Sequence, residues 1–192
     1  MATGHVTTGL SALRAAVYTV TTSSVVYGTV FTPGRAVEVS LEIESSDDNI
    51  FYADNQAAES AGGVFTGGTI SVTIDGALNA TAGKLFGITL GGDGEVKFND
   101  NSSVPYVGFG FIRRVMNDAA TTYQPIFLPK VKFSFPTVNA TTQQDEIDWQ
   151  TEDLTGTLFR ADNATHDWMI WGAEESTEAA AITALEAMMP SS

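Results

Sequence analysis

Carboxylates are the most abundant groups in this sequence that could do chemistry. Asp145, Glu146, Asp148, Glu152 and Asp153 crowd into "DEIDWQTED". Oxygen ligands of this kind suit Ca²⁺, but the spacing and the positional glycine of an EF-hand loop are missing. A solvated acidic connection is the simpler reading. Asp93 and Glu95 in "GGDGE" read as a turn for the same reason, and "GGDGEVKF" as that turn leading into a short strand. Two carboxylates flanking a sugar bond would make a glycosidase, yet in so acidic a chain such pairs can be drawn anywhere, and sequence does not set their separation. His5 and His166 are the only histidines; one lies near the N-terminus and the other beside Asp167 at an expected strand start. There is no G-x-S-x-G elbow, no Walker A loop and no H-E-x-x-H helix. The G-x-G of "VGFGF" (107–111) sits in strand-like sequence without the third glycine of a dinucleotide fingerprint, so it reads as close backbone packing or a bend. With no cysteine, thiolate ligands, thiol nucleophiles and disulfides are excluded. The inventory points to no catalytic residue, no metal ligand set and no cofactor site.

Groups suited to making contacts are better represented. Trp149, Trp168 and Trp171 offer a carbohydrate platform, or core packing, since Trp168 and Trp171 fall in alternating sequence where at least one must face inward. Arg113 and Arg114, with Lys130 and Lys132 on the next expected strand, form either a basic patch complementary to an acidic neighbour or internal partners for carboxylates. Most pointed is "NIFYADNQ", with Asn49, Ile50, Phe51, Tyr52, Ala53, Asp54 and Asn55 in acidic, turn-prone surroundings. Apolar side chains in a long connection either fold back on their own sheet or wait for another surface. Covering one such side chain is worth about 1.5–3 kcal/mol, and aromatic anchors are typical of interfaces.

The elements that must hold these groups are mostly strands. "AVEVSLEIES" alternates Val37, Val39, Leu41 and Ile43 against Glu38, Ser40, Glu42 and Glu44, the pattern of a strand with one buried and one polar face. "GTISVTIDG" repeats it with Ile70, Val72 and Ile74. Between them, 45–66 is long for a loop within a domain, and such loops are usually functional. Leu78, Leu85 and Phe86 share a face of a short helix weakened by Gly83 and Gly87. "VPYVGFGFIRRVMND" and "TTYQPIFLPKVKFSFP" read as two long strands joined near Asn117–Ala120, the second an edge strand or bulged because of Pro125 and Pro129. "LTGTLFRAD" and "HDWMIW" read as a final hairpin around Asp162–Ala164. The tail is a helix with an acidic first turn and a stripe of Ile182, Leu185 and Met189, stopped by Pro190. The expected organisation is one mainly-β domain over 1–172 with a flexible N-terminus and the long 45–66 loop, a β-sandwich or partial barrel with a short flanking helix, followed by a helical appendage over 173–192.

Nine basic residues stand against twenty-three acidic ones among 192, a formal net charge of −14. Nucleic-acid binding needs a basic footprint, so the charge argues against a binder, though not against a surface that lets nucleic acid pass. Charged residues are only 17% of the chain, which leaves surface polarity to Thr, Ser and Asn, as in a β-protein with a hydroxyl-rich solvent face. Neither a signal peptide nor an apolar run of membrane-spanning length is legible.

Four stretches together resemble one family. "IFYADNQ" falls between an alternating strand and a loop leading to "GGTISVTID". "VPYVGFGFIRRV" is followed by "TTYQPIFLPKVKFSFP". "DEIDWQTEDLTGTLF" leads an acidic connection into a T-x-x-G-T-x-F-like strand, and "DWMIW" closes the series. In order and spacing, over roughly Leu10 to Trp171, the chain resembles the major tail proteins, or tail tube proteins, of long-tailed phages of the siphovirus type. The Gly- and Thr-rich helix region departs from the family's stronger amphipathic segment, the extra immunoglobulin-like domain of some members is missing, and the C-terminal helix is not covered.

The resemblance implies a β-sandwich or partial barrel whose copies close, six at a time, into rings with a continuous β-barrel around a channel. It implies stacking of rings through loops and arms, a place in the virion tail after assembly in the bacterial host cytoplasm, and DNA that passes without specific binding. Partners implied are the chain itself, the tape-measure protein, and the tail terminator and tip proteins, with no membrane. On that footing "NIFYADNQ" is an inter-subunit arm, and Glu38, Glu42 and Glu44 are candidates for the channel wall. A β-sandwich module binding carbohydrate or protein is the alternative, and a carboxylate-dependent glycosidase a third.

Overall fold

Strict alternation in the middle of the chain builds the sheet. In a computed structural model describing residues 5–21, 24–77, 79–117, 120–138, 142 and 149–191, β6 (Phe65–Ile74) buries Ile70, Val72 and Ile74 completely. Its Thr69, Ser71 and Thr73 point the other way, as the two-residue period of a strand requires. Nine further strands are described: β1 (His5–Val20), β2 (Val25–Tyr27), β3 (Ala36–Ser45), β4 (Asn49–Ala53), β5 (Gln56–Ala61), β7 (Val107–Asn117), β8 (Ala120–Phe133), β9 (Glu152–Phe159) and β10 (Ile170–Trp171). Two short helices, α1 (Asn79–Phe86) and α2 (Glu178–Ala187), complete the elements.

The fold is mainly β. One large antiparallel sheet runs β2-β1-β7-β8-β9-β6-β3, with β10 added against β8. β1 and β3 come into contact without forming a ladder, so the sheet curls into an incomplete barrel. Its inside is filled by Phe109, Phe133, Leu128, Ile70 and Leu158, and by Leu85 and Phe86 from α1. Gly87, at φ +67°, ends α1 in the left-handed conformation that glycine adopts without a Cβ clash. Leu78, read as part of this helix's face, lies outside the described residues.

The expected terminal appendage is instead part of the packed body. Leu185 and Ala181 are fully buried on the outer face of β1, β7 and β8, against Ala16, Ile112 and Phe127. Met189, just past the helix, is buried with them, and the backbone N–H of Tyr27 donates to Pro190 O at 2.9 Å. Thr177 caps the helix by accepting from the Ala180 N–H. Gly110 explains the close fit: a Cβ there would overlap Leu185 and lie 3.0 Å from Ile126 O. The boundary expected at 172 therefore separates no independent units.

Four other expectations change. The N-terminus, expected to be flexible, is paired from His5 onward, where β1 forms a ladder with β7. Of the two readings of β8, the bulge holds and the edge does not: β8 is a central strand, with β7 along one side and β9 and β10 along the other. Pro129 falls in the bulge, between Leu128 opposite Phe109 and Val131 opposite Val107, and Pro125, which has no N–H to donate, accepts through its carbonyl from the Gly172 N–H at 2.8 Å. The final hairpin does not form. β8 is longer than β9, which pairs with Lys130–Phe133, and the remaining edge at Ile126 and Phe127 is taken by β10. The chain between is tied by side chains: Asn163 Oδ1 accepts from the Asp167 N–H, and Asp167 Oδ2 accepts from Asn163 Nδ2 and Thr165 Oγ1. "GGDGEVKF" makes its turn, but only an isolated bridge, Leu90 to Val96, follows instead of a strand.

Candidate assembly surfaces

The 45–66 connection is a β-hairpin rather than a loop. β4 and β5 pair only with each other, joined by Asp54 and Asn55, both left-handed at φ 51° and 62°. Two positive-φ residues in a two-residue connection make the primed turn whose twist matches paired strands, and Asp and Asn are among the residues that tolerate it. A one-residue irregularity places Phe51 opposite Glu59 and Tyr52 opposite Ala57. Successive residues face opposite sides, so Phe51 shares its face with Glu59, while Tyr52 and Ile50 share theirs with Ser60. Phe51 is 64% and Tyr52 63% exposed, and neither ring contacts another aromatic among the described residues. The fold-back on its own sheet does not occur. The base is fixed where the Ser46 N–H donates to Val64 O at 2.8 Å and the Val64 N–H donates to Ser46 Oγ at 3.2 Å. A lone two-stranded ribbon is marginal in water, so this one lacks the cover that would stabilise it.

β3 supplies the second surface. It is the last strand of the sheet, so one edge carries no partner strand. A bulge between Ala36 and Glu38 turns Val37 outward and leaves it exposed, while Val39 and Leu41 still pack on the core; Ile43, at the open end, is exposed as well. Glu38, Glu42 and Glu44 are exposed on the outer face with Ser40. Across the ladder they meet Thr73, Thr69 and Gly67, and beyond these Asp153 and Thr157 of β9, then Lys132 of β8. Asp153 is engaged by Thr73 Oγ1 at 2.6 Å. The result is an acidic, hydroxyl-rich face over β3, β6 and β9, away from the face of β1, β7 and β8 that α2 covers.

The four basic residues are not brought together. Arg113 and Arg114 lie opposite Gln124 and Tyr123, while Lys130 and Lys132 lie beyond them on β8, beside β9. At the ~3.3 Å rise of a strand the two pairs are about 20 Å apart. Lys130 is spoken for internally. Its Nζ donates to Asp162 Oδ2 at 2.6 Å and lies over the Tyr106 and Tyr18 rings, at 4.7 and 5.3 Å. This Lys130 bond, and a second from the Tyr18 hydroxyl, hold the Asp162 carboxyl below the usual carboxylate range. Burial, first of all, pushes the Tyr18 phenol up to about 12. Arg113 packs on the Trp171 ring at 4.8 Å and donates to Gln124 Oε1. At the other end of the sheet the Arg35 backbone N–H and guanidinium hold the Asp75 carboxyl below its ordinary value.

The groups proposed for chemistry are dispersed. Asp145, Glu146 and Asp148 lie outside the described residues. Glu152 accepts from the Ala77 N–H at 2.9 Å. Among the described residues no three His, Asp or Glu side chains are placed to hold a metal ion. Trp168 is half-buried against the core, stacked on Phe65 at 4.5 Å and 3°, while Trp171 and Trp149 are exposed, so the three indoles do not share one platform. His166 sits at φ 54° with Nδ1 3.2 Å from Ala161 O.

A third surface was not foreseen. Phe86, Phe98 and Phe135 form an aromatic triangle with centroids 5.9 to 6.4 Å apart, and Phe98 and Phe135 are half open to solvent. Beside it runs a groove of about 370 Å³ lined by Ala82, Phe86, Val96, Phe98 and Val138, with Glu152 and Asp153 on its rim. Phe135 continues the alternation of β8, but the strand has ended at Phe133, so it stays half open to solvent instead of joining Phe133 in the core. No family model matches the chain, and no curated protein does. Among the described residues no helix is long and apolar enough to cross a membrane.

Proposed function

We propose that this chain is a non-enzymatic structural subunit that assembles with copies of itself into stacked rings, as the tail tube of a long-tailed phage. The observation that carries the reading is the β4–β5 hairpin, which pairs with no other strand and holds Phe51 and Tyr52 in water. Exposed aromatic area of this kind is a cost to a monomer and an anchor in an interface. The unpaired edge of β3 is a second incomplete surface, and pairing it with a neighbour's strand removes an aggregation hazard. Rotation between copies must close to give a ring.

In that ring Glu38, Glu42 and Glu44 face the channel together with the threonines beside them. Their charge repels DNA phosphates and outweighs the Lys132 at the far side of that face, so a passing duplex is not held. The tape-measure, terminator and tip proteins are the partners this reading assigns, and the virion tail is the place. The test is Phe51→Ala combined with Tyr52→Ala. Assembly, followed by sedimentation velocity, is lost, while circular dichroism and the unfolding midpoint of the monomer stay close to wild type. Loss of fold and assembly in equal measure would remove the hairpin from the interface.

A further inference from the structure

We infer that the groove beside Phe98 receives the hairpin of a second copy, with the Ile50–Tyr52 face inward and Tyr52 as its anchor. The inference rests on the self-assembly reading and adds to it the receiving surface and the orientation. Position along the sheet is the first argument. The hairpin leaves β3 and β6 at Ser45 and Phe65, whereas the groove lies at the other end of β6, past Ile74, at Ala77 and Glu152. Those ends are roughly 30 Å apart at the rise of a strand, and Tyr52 reaches at most about 23 Å from Ser45. A chain cannot fill its own groove. A copy displaced along the strand direction can, so donor and acceptor meet head to tail, a heterologous contact that repeats.

Charge selects the face. The groove's rim carries Glu152 and Asp153, each already accepting one hydrogen bond and each with acceptor capacity left. Phe51 shares its face with Glu59, whose carboxylate would oppose them; within the β4–β5 ladder the Ile50–Tyr52 face carries Ser60 and no charged side chain. Tyr52 also brings a hydroxyl donor to a rim made of acceptors. Ile50, Tyr52, Phe98, Phe135 and Val138 expose on the order of 500 Å² of apolar surface, scaled from the ~150–250 Å² an aromatic buries. A stable binary interface needs roughly 1,200 Å². The contact is therefore weak between two free chains and holds where closure or repetition raises the effective concentration.

The absence of native cysteine makes the test direct. The full chain carrying Ser60→Cys, on the Ile50–Tyr52 face, and Val138→Cys, both at exposed positions and with Tyr52 kept, is oxidised at assembling concentration and run on a non-reducing gel. A ladder of inter-chain species is expected, with at least several-fold less from Phe51→Cys with Val138→Cys. No ladder, an intra-chain product, or equal yield from the Phe51 pair while negative-stain images still show rings or tubes would overturn the docking and leave the tube reading standing. Protein that remains monomeric by sedimentation at every concentration would overturn both.

Discussion

Truncating Leu185 to alanine tests whether α2 belongs to the fold. Its side chain is fully buried among Ala16, Ile112, Phe127 and Ala181. Removing a buried leucine costs the lost transfer energy plus a term for the cavity, about 2.7–5 kcal/mol where neighbours relax only partly. Here the neighbours are fixed. Ile112 and Phe127 are held in the β7–β8 ladder, and the helix is pinned at one end by Thr177 and beyond the other by the bond from Tyr27 to Pro190. The cost should be about 3–4 kcal/mol. For a domain of this size each kcal/mol moves Tm by about 2–4 °C, so melting of the dilute monomer should fall by roughly 10 °C. Differential scanning calorimetry, with urea unfolding as a second probe, measures it. A shift under about 2 °C by both methods would mean that α2 is the detachable appendage the sequence suggests.

Gly110→Ala should destabilise the monomer by about 1–3 kcal/mol through overpacking. The double variant with Leu185→Ala should cost less than the sum of the two, because truncation clears part of the overlap. Acid should weaken the fold only below about pH 4. The Asp162 and Asp75 carboxyls have depressed folded values, so their contribution is complete above the unfolded value of about 3.9 and is lost as pH falls through the folded one. Both pairs are solvent-accessible, so the loss is modest, and Lys130→Met should blunt it in urea unfolding across pH 2–5. Tyr18 acts oppositely. Its phenol is pushed up to about 12, so the stability it contributes is full below the unfolded value of about 10 and is lost as pH rises towards 12, followed by phenolate absorbance.

Alternation made the sheet legible. Ile70, Val72 and Ile74 against hydroxyl residues fixed a one-sided strand, and Glu38, Glu42 and Glu44 fell on one face as their spacing requires. What alternation does not report is the ladder partner. Arg113 and Lys130 are on neighbouring strands, yet register sets them apart, and register comes from the whole sheet. "HDWMIW" has strand composition, but only Ile170 and Trp171 find an open edge. The hairpin was hidden because Asp54-Asn55 is a weaker signal than Asn-Gly, though its exposed aromatics were visible as a question. The groove needed three segments, around Phe86, Phe98 and Phe135, that are remote in sequence and meet only in the folded chain.

The central claim is that the chain is completed by copies of itself. Sedimentation velocity over a wide concentration range, with negative-stain images of the fastest species, tests it most directly. The account predicts cooperative growth into closed rings or tubes, favoured by added salt because like charges on −14 chains must be screened. A single monomeric boundary at all concentrations and salts, with no ordered particle on the grid, would contradict it.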